Sequence, residues 1–256
     1  MMDFTNSNKI FDTHIHIGQY HSIYTSPEDI LSFLDSVGVW KFAVSSTTTC
    51  EENYQKVIYE FKKLTSKAEG RAIPVLWVTP QMINSWNLFS LFDQGIEWKC
   101  LKIHPQLAPE EWIDCSANLM LIASVASLKH LPLLIHTGEM YGCFPKDYGD
   151  IISQREDVTF ILAHGRPINE TIDMMKKYPN VWVDTAFMPT DNIKKLCDEN
   201  LSDRVLWGTD YPIPKHYYPD KDMKDYYLTL IQQLKGTIKS EDFEKITCTN
   251  FKKLFG

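Results

Sequence analysis

Eight short apolar runs recur along the chain, each of strand length, with helix-like stretches between them. They are KIFDTHIHI (9–17), VWKFAVSS (39–46), RAIPVLWVTP (71–80), WKCLKIHP (98–105), LPLLIHTG (131–138), VTFILAHG (158–165), NVWVDTA (180–186) and RVLWGTDYP (204–212). Several are apolar on both faces, as parallel strands covered by helices must be. SPEDILSFLDSVG offers Ser26 as N-cap, Pro27 at the first helical position and Gly38 just past the end. CEENYQKVIYEFKKLTSK, SANLMLIASVASLKH, PINETIDMMKKYP, TDNIKKLCDEN and KDMKDYYLTLIQQLKG follow. Strand and helix alternate every ~20 to 35 residues, the period of βα units. Eight such units match a TIM barrel in count and size. The expected fold is therefore α/β, a TIM (β/α)8 barrel forming one domain over residues 1–256, with SEDFEKITCTNFKKLFG as one last amphipathic helix closing the barrel. A doubly wound open sheet would carry a Gly-rich phosphate loop after its first strand, and HIHIGQ does not match one.

Composition narrows the function classes. A hydrophobic fraction of 44% supplies a large core, and a formal net charge of -7 without a basic cluster argues against nucleic acid, which needs Lys and Arg to displace counterions. Cys50, Cys100, Cys115, Cys143, Cys197 and Cys248 form no CxxC pair and read as reduced thiols. MMDFTNSNKIFD lacks the basic start and apolar stretch of a secretory signal, and no apolar run reaches the ~20 residues of a membrane helix. These features predict a cytoplasmic protein that acts on a small molecule and binds neither nucleic acid nor membrane; a homodimer stays open.

The polar residues in the apolar runs carry the chemistry. His14 and His16 alternate with apolar neighbours and point to one face of their strand. A buried imidazole without partners costs several kcal/mol, and a divalent metal would satisfy both rings at once. HxH alone leaves a metal pair and an exposed strand end both open. The other runs add weight: LLIHTGE ends in His136, FILAHGRP in His164, VLWGTDYP in Asp210, and LKIHP carries Lys102 and His104 on one face. The C-terminal strand ends of a (β/α)8 barrel form its active-site mouth, and convergent His and Asp residues there mark a metal or catalytic site. His130 reads as a helix-end residue; His21 and His216 fall in loops facing the mouth; Trp40, Trp182 and Met174 read as core.

FDTHIHIG, LKIHP, IHTGE, LAHG, WGTDYP and TNFKKLFG, in this order from Phe11 to Gly256, resemble the amidohydrolase superfamily. The wording is similar to its second branch, which includes aminocarboxymuconate-semialdehyde decarboxylase-like metal-dependent hydrolases. The resemblance implies His14, His16, His136 and Asp210 as metal ligands. It gives His164 either a second metal or the metal-bound water. In some binuclear relatives a lysine after strand four, the position of Lys102 here, is carboxylated and bridges two metals; a KxHP sequence here implies contact with substrate or water beside a single ion. One divalent ion, Zn²⁺ first, is the expected cofactor, with a second ion and a carboxylated Lys102 as the alternative.

Such an ion lowers the pKa of water to about 7. Asp210 would act as general base and then acid, with Gly208 on the same strand face leaving space beside it, and His164 would hold the water or stabilise an oxyanion. Arg166, with Lys102 and His104, would bind a substrate carboxylate, or Arg166 would form a surface salt bridge. Glu139 would orient a ligand histidine or remain a solvated acid. GEMYGCFPKDYGD would form a lid with Tyr141, Phe144 and Tyr148, and YPIPKHYYPD is similarly aromatic. The expected reaction is hydrolysis of a C–N or C–O bond in an amide, lactone or ester through a metal-activated water. The alternative is non-oxidative decarboxylation of an unsaturated or aromatic carboxylic acid at the same site. Glu139, three residues after His136, leaves a deaminase open; an intact ligand set argues against a barrel that has lost turnover.

Overall fold

Each of the eight apolar runs becomes a strand in the computed structural model, which describes residues 9–84 and 87–256. The strands are β1 (Ile10–Tyr20), β3 (Val39–Ser46), β4 (Ala72–Trp77), β5 (Cys100–Ile103), β6 (Leu133–His136), β7 (Phe160–Ala163), β8 (Val181–Asp184) and β9 (Val205–Leu206); a short β2 (Ile23–Thr25) folds back on β1. A helix follows each of the eight: Pro27–Val37, Tyr54–Lys67, the short pair Pro80–Asn84 and Asn87–Phe92, Ser116–Lys129, Gly149–Gln154, Ile168–Lys177, Thr190–Asp198 and Met223–Thr237. Residues 1–8, which carry most of the segment read as lacking a secretory signal, lie outside the described residues. No described helix is long and apolar enough to cross a membrane.

The chain divides into two compact units, one of residues up to Ile73 with Thr185–Gly256, the other Pro74–Asp184. In the first, β1 pairs parallel with β3 and antiparallel with β2. The segment after β9 runs alongside β1, with Thr13 N–H donating to Trp207 O and His16 N–H to Tyr211 O, both at 2.7 Å. In the second, β4, β5, β6, β7 and β8 pair in sequence order, all parallel. Their residues are buried along almost their whole length, which is why these runs are apolar on both faces.

Local chemistry sets the helix ends. Ser26 accepts from Asp29 N–H while the Asp29 carboxylate accepts from Ser26 N–H, a capping box worth ~1 kcal/mol. Gly38 closes the helix at φ 76°, and Pro27, Ile30, Leu34 and Val37 form its buried stripe. His130 ends Ser116–Lys129 in the left-handed region, its N–H donating to the Ala126 and Ser127 carbonyls.

The tail differs from the single regular helix expected. It is helical from Ser240 to Phe255 but passes through a π-helical segment, Lys245–Thr249. The irregular turn presents the Ile246 carbonyl to Trp207 N–H at 3.0 Å, and Asn250 donates to the Ser202 and Val205 carbonyls at 2.7 Å each. Tail and β9 are thereby hydrogen-bonded together, which amphipathic periodicity cannot reveal.

One buried acid stands apart from the candidate site. Glu60, 1% exposed, accepts hydrogen bonds from Ser46 Oγ (2.8 Å), Thr48 Oγ1 (3.0 Å) and Tyr24 OH (3.3 Å), tying the helix Tyr54–Lys67 to the end of β3. Glu60→Ala would leave the buried Ser46 and Thr48 hydroxyls without their acceptor and is expected to cost about 2 kcal/mol. The urea midpoint checks this, and Glu60→Gln, which keeps one acceptor oxygen, should cost less.

Candidate metal centre

β1 brings two imidazoles to one place, and the turn after β9 brings a carboxylate to meet them. Asp210 Oδ1 lies 2.8 Å from His16 Nε2 and 3.3 Å from His14 Nε2. All three residues are buried, His14 and His16 at 3% exposure and Asp210 at 7%. One donor atom from each lies within 4.8 Å of the others, a spacing that could hold a metal ion. Two imidazole nitrogens and a carboxylate oxygen form an N/O set suited to Zn²⁺, brought together in a buried space. The donor set fits the ion.

The surroundings hold the ligands in register. Ser45, paired with His16 across β1 and β3, places its Oγ 2.9 Å from His16 Nδ1. That contact orients the ring with Nε2 toward Asp210, the arrangement metal-binding imidazoles use. Asp210 itself does not sit on a strand. β9 ends at Leu206, and Asp210 takes φ 61°, the left-handed region, with its N–H donating to His14 O at 2.7 Å. The expectation that Gly208 shares a strand face with Asp210 is therefore corrected: alternation stops before either residue, and Gly208 instead exchanges hydrogen bonds with Thr185 Oγ1.

Asp12 is a site residue that the motif reading missed. It is fully buried two residues before His14; Oδ1 accepts from His14 N–H (3.1 Å) and Thr209 N–H (3.2 Å), and Oδ2 from Thr209 Oγ1 (2.6 Å) and Tyr227 OH (3.2 Å). Burial pushes its carboxyl up to about 7 against the opposing pull of these hydrogen bonds. The available signal was a charged residue inside an apolar strand, on the face of His14.

The second unit gathers the remaining candidates. Lys102, 2% exposed, places Nζ 4.6 Å from the Trp77 ring centre. Trp77 stacks on His104 (centroids 5.4 Å, 12°), and His104 stacks on His136 (3.7 Å, 15°). His136 Nδ1 lies 3.1 Å from His164 Nε2. His164 also takes a left-handed backbone, φ 67°, held by its N–H donating to Asp184 Oδ1 at 3.0 Å. Trp77 supplies an aromatic face that no polar motif announced. Arg166 donates its backbone N–H to Thr137 Oγ1, and its buried Nε has no hydrogen-bond partner among the described residues.

The loop residues divide. Glu139 is exposed, matching the solvated-acid reading. The lid expectation is corrected for Tyr148, which is fully buried with its hydroxyl donating to Gly142 O and so supports the loop from below; Phe144 is half-buried, and Tyr141 is exposed and bonds Asp114. His21 and His216 are exposed and stack on each other with centroids 4.4 Å apart.

Solved structures share this fold across nearly the whole chain. A probable 2-pyrone-4,6-dicarboxylic acid hydrolase from Acinetobacter baumannii, solved with citric acid bound, aligns at TM-score 0.68 and 13% identity, over 97% of this chain and 100% of its own. An uncharacterised TIM-barrel protein from Bordetella bronchiseptica aligns at 0.68 and 16%, over 96% and 98%. The IDCase of Metarhizium anisopliae, in apo form, aligns at 0.68 and 13%, over 96% and 97%. These likenesses establish the α/β TIM (β/α)8 fold. No curated protein matches the chain in sequence. A family model described as amidohydrolase matches residues 102–256, more than half of the chain and the part that holds KIHP, IHTGE, LAHG and WGTDYP. On that match the chain belongs to the amidohydrolase family.

Proposed function

We propose that the protein is a metal-dependent hydrolase that cleaves an amide, lactone or ester bond in a small molecule bearing a carboxylate. The observation that carries this reading is the convergence of His14 Nε2, His16 Nε2 and Asp210 Oδ1 in a buried space. These three would hold one divalent ion of the Zn²⁺ type, and the sequence resemblance assigns His136 as the fourth ligand. When bound, such an ion supplies Lewis-acid polarisation and a water of pKa about 7.

The chain's own residues supply the proton transfers. Asp210 Oδ1 faces the two imidazoles, so Oδ2 is the oxygen that takes a proton from the attacking water and returns it to the leaving group. The 3.1 Å contact between His136 and His164 couples their two tautomers. A proton on His136 Nδ1, donated to His164 Nε2, leaves His136 Nε2 as the ligand nitrogen and puts the His164 proton on Nδ1, where it can be donated to a developing oxyanion.

Metal analysis of protein purified without chelator tests the site, with about one transition-metal ion per chain expected. A screen of lactones, amides and esters alongside unsaturated and aromatic acids, following ring opening and carbon dioxide release together, tests the reaction. Carbon dioxide release without any hydrolysis selects the decarboxylase alternative. The unpartnered Arg166 Nε favours a carboxylate substrate. Arg166→Ala is expected to raise KM for such a substrate by about 10-fold or more, with a smaller fall in kcat; steady-state kinetics showing neither change retires that role.

A further inference from the structure

We infer that Asp12 is a positioning residue for the metal centre: its carboxylate fixes the spacing between His14 and Asp210 before any ion binds. The inference rests on the reading of His14, His16 and Asp210 as ligands and adds a residue outside that set. A single oxygen, Oδ1, accepts from His14 N–H and from Thr209 N–H, the residue directly before Asp210. The two chain segments that carry the ligands are thus joined through one atom. Oδ2 completes the join with Thr209 Oγ1 at 2.6 Å.

A second layer fixes Asp12 in turn. Tyr227 OH donates to Asp12 Oδ2 and accepts from Trp207 Nε1–H, both at 3.2 Å. Tyr227 is 2% exposed and Trp207 3% exposed. The helix Met223–Thr237 therefore reaches Asp12 through the Tyr227 hydroxyl. A carboxylate is the side chain this position requires, because four donors converge on it and nothing there needs a donor in return. Asparagine has the same shape but presents an NH₂ group to two hydroxyl donors. Thr209 and Tyr227 must each turn a hydroxyl proton away to accept from that group, and Tyr227 must do so while still accepting from Trp207 Nε1–H.

The consequence is a loss of metal affinity separable from a loss of fold. Residues that orient metal ligands typically contribute 10- to 100-fold to affinity. Wild type, Asp12→Asn, Tyr227→Phe and His16→Ala are stripped with chelator and titrated with Zn²⁺ by calorimetry, at a temperature where urea unfolding shows each apo protein to be folded. Asp12→Asn is expected to raise the Zn²⁺ Kd about 10- to 100-fold, and Tyr227→Phe to raise it by a smaller factor. Tyr227→Phe keeps the test decisive if Asp12→Asn fails to fold. A merely structural role would lower the urea midpoints and leave Kd unmoved. Zn²⁺ affinities of both variants within twofold of wild type overturn the inference. Binding that His16→Ala leaves intact overturns the ligand reading itself, and this inference with it.

Discussion

Asp210→Asn is expected to lower turnover by about 10³-fold or more on any substrate the protein accepts, while the protein stays folded. The fold should tolerate the change for specific reasons. Asn has the size of Asp and is among the few residues that take a left-handed backbone readily, which φ 61° requires. The backbone bond from residue 210 N–H to His14 O does not involve the side chain. Asn Oδ1 can still accept a hydrogen bond from an imidazole Nε2–H of His14 or His16. The negative charge and the basic oxygen are lost. General-base catalysis alone is worth roughly 10²- to 10⁴-fold, and removing a metal-ligating charge adds to the loss. Activity, metal content and the urea midpoint, measured on one preparation, check the expectation. Full turnover by the variant would remove Asp210 from the reaction, and an unfolded variant would show that the carboxylate serves the fold first.

What was legible in the sequence was legible for a physical reason. Strands buried on both faces must be apolar, so their positions stand out: VWKFAVSS is β3 from Val39 to Ser46, and the other seven runs each contain a strand. The caps at Ser26 and Gly38 were visible because few residue types serve there. His14 and His16 were visible because two imidazoles in such a strand need an explanation. The geometry of Asp210 was not, since strand alternation predicts a face and this residue leaves the strand for a left-handed turn. His164 does the same after β7. Asp12 sits inside FDTHIHIG, but its role went unread because its partners, Thr209 and Tyr227, lie 197 and 215 residues away along the chain. Trp77 drew no reading from the motifs and is a platform for Lys102 and His104. Tyr148 looked like a lid because composition reports aromaticity and says nothing of depth.

Gly18→Ala is expected to destabilise the protein by about 3 kcal/mol or more. Gly18 closes FDTHIHIG at φ +93°, outside the left-handed well that L-residues occupy at low cost. Sterics compound the strain. An added Cβ would lie 2.3 Å from Thr48 Oγ1 and 2.9 Å from both Ser46 Oγ and Thr48 N. Neither hydroxyl can simply swing away, because both donate to the buried Glu60 carboxylate. Relief requires moving β1 away from the end of β3 or breaking the Glu60 cluster, and His16 lies two residues upstream, paired with Ser45. Gly70 provides the control: its φ is +77°, and a Cβ there would meet nothing within 4 Å. Gly70→Ala carries the backbone strain alone and should cost about 1 kcal/mol. Urea unfolding of the two variants side by side separates strain from contact. Equal midpoints would mean that the β1–β3 junction yields freely, and the rigid placement of His16 against Ser45 would then lose its support.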